Sequence, residues 1–187
     1  RCVGIHPPSR LAPFNPSSQQ VQDKSMEMLQ LTSQDVLFDL GCGDGRLLLH
    51  AAQQVDGLRC VGIEMDPIYA TRGKEAVALL PADIQARVDI RQGDVLEDIQ
   101  SSVSQDANGG RSKLSLSKDA TALYLFILPQ GVVKLMPLLN ALVKKRRQEN
   151  RSIRILSYMF QIREWEPTLV DSTSRGNLPL YLYQFDP

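Results

Sequence analysis

The stretch VLFDLGCGDGRLLLHAAQQV (36–55) decides the fold. VLFDL is a short apolar run that ends in glycines, the pattern of a buried parallel strand rather than of a half-exposed alternating one. Leu47, Leu48, Ala51, Ala52 and Val55 then recur at helical spacing, and Gly57 closes the run. Gly41, Gly43 and Gly45 lie in the connecting loop. Glycines at a strand-to-helix turn permit tight backbone and let a ligand approach N–H groups at a helix amino terminus.

The same rhythm extends outward. RCVGIEM (59–65) reads as a second strand, and Pro67 opens a helix through Leu80, with Asp66 as its cap. ARVDIRQGD (86–94) reads as a third strand, ATALYLFIL (120–128) as a fourth, and SIRILSYMF (152–160) as a fifth after a helix from about Gln130 to Gln148. Two further strands, near 168–172 and 178–185, lie close together in sequence, as a hairpin requires. Upstream, Val21 to Leu31 carries a helical pattern with Ser18 as cap, preceded by a Pro- and Ser-rich lead-in over 1–20. Residues 21–187 form one domain, interrupted by a polar, glycine-containing segment at 97–119 that reads as a mobile surface insertion. Alternating strands and helices followed by two adjacent strands predict a doubly wound α/β sheet, mostly parallel, with one antiparallel edge hairpin. Such sheets bind ligands beyond the carboxyl ends of their strands, at the switch point.

Bulk composition narrows the functional classes. Lys and Arg total 21, as do Asp and Glu, so no global field draws the chain to nucleic acid, although a local patch remains open. No apolar run is long enough to span a bilayer. The three cysteines, Cys2, Cys42 and Cys60, have neither disulfide nor metal spacing, and a reducing intracellular compartment is expected. No metal site is expected. The basic run at 144–147 ends a helix, where cations complement the dipole.

Three acids give the glycine loop its meaning. Asp39 stands two residues before the first glycine, Glu64 ends the second strand, and Asp94 follows the third, with Val95 beside it. A dinucleotide fingerprint needs Gly or Ala where this chain has Arg46, and carboxylates around the loop would repel a diphosphate. Glu64 can accept two hydrogen bonds from a ribose diol, or be a solvated strand-end charge. Asp94 can take an adenine amino group, or serve as a turn residue.

This combination resembles the class I S-adenosylmethionine (SAM) methyltransferases: a DxGxGxG loop, an acid ending strand two, and a GD after strand three. The resemblance covers roughly 36–158 and implies a Rossmann-like seven-stranded fold with SAM as cofactor. It further implies that Asp39, Gly41, Gly43 and Gly45 form the methionine loop, that Glu64 holds the ribose, and that Asp94 and Val95 meet the adenine. SAM's sulfonium and ammonium suit the surrounding carboxylates.

A narrower resemblance rests on PFNPSSQQV (13–21), FILPQGVVKLMPLL (126–139) and FQIREWEP (160–167). These are similar to segments of the mitochondrial protein-lysine methyltransferases of ATP synthase subunit c and the adenine nucleotide translocase and their bacterial relatives, from which Asn15 and Ser17 depart. It implies a protein substrate, a mitochondrial or cytoplasmic setting, and an acceptor channel drawn from Phe14, Phe126, Pro129, Tyr158 and Trp165, each of which could equally be core. Trp165, Glu164 and Tyr124 are the candidate catalytic groups. RNA or a small molecule as acceptor, or a subunit without turnover, are the competing expectations.

Overall fold

The computed structural model describes residues 16–96, 114–174 and 178–187. Phe14, Cys2 and most of the expected insertion lie outside them. Seven strands form one sheet: β1 Val36–Leu40, β2 Arg59–Glu64, β3 Val88–Gln92, β4 Ala122–Leu125, β5 Ile153–Tyr158, β6 Leu169–Asp171 and β7 Leu180–Phe185. Their order is β3-β2-β1-β4-β5-β7-β6, with β1 to β5 parallel and β7 antiparallel to both its neighbours. This is the expected doubly wound sheet with its edge hairpin, and the direction of winding reverses between β1 and β4.

Helices α1 Gln19–Leu29, α2 Arg46–Gln54, α3 Pro67–Ala78, α4 Ala82–Gln85, α5 Leu116–Asp119 and α6 Pro129–Gln148 cover it. Local chemistry sets the ends. Ser18 Oγ accepts from Val21 N at the start of α1, and Asp66 Oδ1 accepts from Ile68 N at 3.0 Å ahead of Pro67. Helix α5 falls within the segment expected to be surface insertion. Its Leu116 is instead buried against Ala120, Phe38 and the α6 side chains, because 114–119 carries the chain back into the core ahead of β4.

Two apolar layers sandwich the sheet. Phe38, Leu40, Val61, Leu123 and Ile155 meet α6 through Leu135, Met136, Leu139 and Leu142. On the opposite face Leu37, Cys60, Ala122 and Leu156 meet Val21 and Leu29 of α1 and Leu47, Leu48 and Ala51 of α2. All five β1 residues are buried, as the unbroken apolar run predicts, yet one of them is Asp39.

Candidate functional site

The glycine loop folds back over the end of β2. Gly41 N and Cys42 N both donate to Ile63 O, at 2.8 and 3.2 Å, and Gly45 N donates to Cys42 O at 2.9 Å. Gly41, Gly43 and Gly45 have φ of 88°, 57° and 74°, the left-handed region that glycine enters without steric cost. Gly45 caps α2 without a side chain, and Arg46 N in the first turn donates to Asp44 Oδ1 at 3.4 Å. A Cβ built on Gly41 would meet nothing within 4 Å, so the loop borders open space on that side.

Glu64 sits at the lip. Its Oε2 accepts from Gly43 N and its Oε1 from Asp66 N, both at 2.8 Å. The carboxylate is thereby fixed to the loop, and each oxygen keeps acceptor capacity for a ribose hydroxyl. Gly93 N donates to Glu64 O at 2.9 Å, which ties the end of β3 to that of β2. Asp94 Oδ1 accepts from Leu96 N at 2.9 Å, the turn role that its sequence allowed, while Val95 points into the core. Asp44 is clasped by Arg46, with Nε at 2.9 Å from Oδ1 and Nη2 at 2.5 Å from Oδ2. Burial pushes the Asp44 carboxyl up, but the Arg46 contacts outweigh it and hold it below the usual range.

Asp39 and Tyr124 stand opposite one another in the β1–β4 register, at 4% and 2% exposure. Burial, then the charges of Glu64 and Asp44, push the Asp39 carboxyl well above its ordinary range. Burial, then Asp39 and Tyr158, do the same to the Tyr124 phenol, whose polar neighbour is the Ser17 side chain. Tyr124 is therefore a neutral group at physiological pH. Cys42 and Cys60 are buried free thiols pushed up chiefly by burial, Cys60 to about 12, and so inert.

Beyond β4 and β5 the rings of Phe126 and Tyr158 pack with centroids 4.6 Å apart and planes at 54°. Leu128 and Pro129 are exposed beside them at the start of α6. Met159, the residue after Tyr158, holds φ of 68°, an unusual conformation for a non-glycine residue.

The structure does not bring Trp165 to this mouth. Its indole packs edge-on against Phe185 and Tyr183, at 4.7 and 5.7 Å, and its Nε1 donates to Asn140 Oδ1 at 3.2 Å. Phe185 pairs with Ile153, the first residue of β5, so the indole lies toward the amino ends of the parallel strands. The physical reason is that antiparallel β7 and the middle of α6 offer an aromatic seat there. Glu164 is exposed next to it. No group of three or more His, Cys, Asp or Glu among the described residues is placed to hold a metal.

Two supporting glycines were missed in the sequence. A Cβ on Gly62 would lie 2.6 Å from Cys42 Sγ and 2.8 Å from Leu48 Cδ1, and one on Gly73 would lie 3.2 Å from Asp44 O. An isolated glycine inside a strand pattern marks just such a close approach.

No protein-family model matches the chain. The chain is 28% identical over 174 residues to a protein-lysine N-methyltransferase of Saccharolobus islandicus (strain REY15A), covering 91% of this chain and 92% of that protein. Its structure is similar to that of an RNA methyltransferase from Salinibacter ruber in complex with S-adenosyl-L-homocysteine, with a TM-score of 0.70, 26% identity and coverage of 92% and 94%. A precorrin-6y C5,15-methyltransferase from Geobacter metallireducens GS-15 shares the fold, with a TM-score of 0.58 at 12% identity over 94% and 91% of the two chains.

Proposed function

From a chain that has the class I SAM-dependent methyltransferase fold, with SAM as its cofactor, we propose a protein-lysine N-methyltransferase. The observation that carries the lysine reading is the similarity to the archaeal protein-lysine enzyme along nearly the full length of both chains. It supports lysine as acceptor and not the mitochondrial branch of the sequence resemblance.

The geometry is compatible with that chemistry. SAM supplies a methyl group already activated by its sulfonium. The chain's own task is to hold the cofactor and to align the acceptor. Gly41 leaves backbone room for the methionine part, and Glu64, fixed by Gly43 N, is held ready for the ribose diol. We place Asp94 and the neighbouring Val95 backbone at the adenine.

A lysine has a free pKa of about 10.4 and must lose a proton before it attacks. The Phe126–Tyr158 pair offers ring faces to the incoming cation, and the buried surroundings lower its proton affinity. Tyr124, neutral and buried, is suited to orient the acceptor and not to act as a base. Phe126, Tyr158 and Pro129 are the proposed channel.

RNA as acceptor is the second reading, favoured by the Salinibacter ruber likeness. Against it, the basic residues Lys144, Lys145 and Arg147 lie at the far end of α6. Twenty residues of helix span about 30 Å, so that run is remote from the mouth.

The test is incubation with methyl-labelled SAM and a cell extract, followed by nuclease or protease digestion. Label should survive nuclease, be lost to protease, and appear as methyl-lysine after acid hydrolysis. Label that survives protease and is lost to nuclease overturns the lysine reading in favour of RNA.

A further inference from the structure

Tyr124 carries a hydroxyl sealed away from water with nothing to bond. The residue is 2% exposed, and its Oη is buried without a hydrogen-bond partner among the described residues. Such a group has given up its hydrogen bonds to water and gained none in return, which calls for a group that the free protein does not hold. The Ser17 side chain is its polar neighbour but does not reach hydrogen-bonding geometry. The Ser17 carbonyl is already taken by Gln22 Nε2 at 3.0 Å.

Strand geometry places this phenol beneath the acceptor mouth. Phe126 follows Tyr124 by two residues, and Tyr158 follows Leu156, the partner of Tyr124 across the β4–β5 ladder, by two. Residues two apart along a strand share a face and are about 7 Å apart. All four accordingly lie in one apolar layer, on the α1 side of the sheet. Tyr124 is therefore one step below the Phe126–Tyr158 ring pair. On its other flank stands Asp39 of β1, the strand that leads into the glycine loop. The side chain lies between the loop and the ring pair.

We propose that the Tyr124 hydroxyl receives one N–H of the acceptor amine and thereby disfavours the last of three successive methyl transfers. This deepens the lysine reading and rests on it. Before each transfer the acceptor ammonium gives one proton to solvent. Its lone pair then forms the N–CH3 bond, while the S–CH3 bond breaks and its electron pair goes to sulfur. Because the lone pair must point at the methyl group, only N–H bonds are left for the protein to hold. Neutral lysine has two and monomethyl-lysine has one. Either can donate to Oη while the phenol turns its own hydrogen to the Ser17 hydroxyl, so both halves of the orphaned group are met. Dimethyl-lysine has none: a methyl group faces the buried oxygen and leaves it without a partner. Burial, then the charges of Asp39 and Tyr158, keep the phenol neutral, so it holds the amine and does not take its proton.

The test compares wild type with Tyr124→Phe, using methyl-labelled SAM and a heat-inactivated cell extract as acceptor. Labelled mono-, di- and trimethyl-lysine are counted after acid hydrolysis of the extract protein. Tyr124→Phe should slow the first transfer about tenfold, the loss of one hydrogen bond, and at equal total label raise the trimethyl-to-monomethyl ratio by a similar factor. Its SAM Kd should stay within about twofold by calorimetry. Its melting temperature should not fall, because the change removes an orphaned hydroxyl and keeps the ring. An unchanged trimethyl-to-monomethyl ratio overturns the proposal. So does a lowered melting temperature, which makes the hydroxyl structural, or weakened SAM binding, which gives it to the cofactor. Wild-type label in nucleic acid with none in methyl-lysine overturns the lysine reading itself, and the proposal with it.

Discussion

Gly62 lies outside the glycine loop, yet that loop is shaped by it. Cys42 and Leu48 occupy the space a Cβ would fill, so Gly62→Ala forces the loop off β2. Overpacking of this kind costs about 1–3 kcal/mol. Urea denaturation should show that loss, with weaker SAM binding alongside. Glu64 does two things at once, bracing Gly43 N and Asp66 N while facing the open side of the loop. Charge-assisted hydrogen bonds contribute about 1.5–3 kcal/mol, so Glu64→Ala should weaken SAM about 10- to 100-fold by calorimetry. An unchanged affinity would remove Glu64 from the ribose site. The glycine loop and its acids were legible in the sequence because each is a residue type demanded by its local backbone or charge. Gly62 was passed over because its neighbour Cys42 lies 20 residues away and only the β1–β2 pairing brings them together.

At the scale of elements, Asp35 and Arg154 join four of them at the amino ends of the strands. Arg154 donates to Asp35 and to the Leu29 and Gln30 carbonyls at the end of α1. Asp35 also accepts from Thr32 N at 2.8 Å and, ahead of β4, from Thr121 Oγ1 at 2.7 Å. Burial pushes the Asp35 carboxyl up, but Thr121, Thr32 and Arg154 together bring it below its usual range. A carboxyl lowered by folding contributes stability above its unfolded pKa, about 3.9, and loses it as pH falls through the lower folded value. Asp35→Ala leaves Arg154 without its charge partner and should cost about 3 kcal/mol at neutral pH in urea unfolding. That difference should shrink in strong acid. Helices α1, α2, α3 and α6 and all seven strands were readable from periodicity and caps. Helix α5 was not, because four residues carry no period and its polar neighbours mask the single buried Leu116.

Across the whole molecule, the glycine loop, Glu64 and the Phe126–Tyr158 pair lie at one end of the sheet and the Trp165 packing at the other. Trp165, one of the five residues that sequence resemblance placed in the channel, belongs to the packing end. Trp165→Ala should therefore lower stability by about 2–4 kcal/mol. It should leave the SAM Kd within about twofold, since remote sites act independently. Loss of SAM binding in a variant that still melts cooperatively would place the indole at the site after all. No helix among the described residues is long and apolar enough to cross a membrane. Nothing in that overall arrangement is specific to lysine, and so the acceptor rests on the archaeal relative and on the labelling experiment.

The sequence by itself determined the sheet's winding and the glycine loop with the acids beside it. Strand and helix periods, glycines with positive φ and capping residues are local properties of the chain, and they are satisfied wherever that chain lies. Only the tertiary structure decided which aromatic residues share the mouth with those acids. Phe126 and Tyr158 meet there because β4 and β5 are neighbours, and Trp165 is drawn away because β7 runs antiparallel and carries Phe185 to the opposite end. The same packing buried Asp39 within β1, where burial and then the charges of Glu64 and Asp44 push its carboxyl well above its ordinary range.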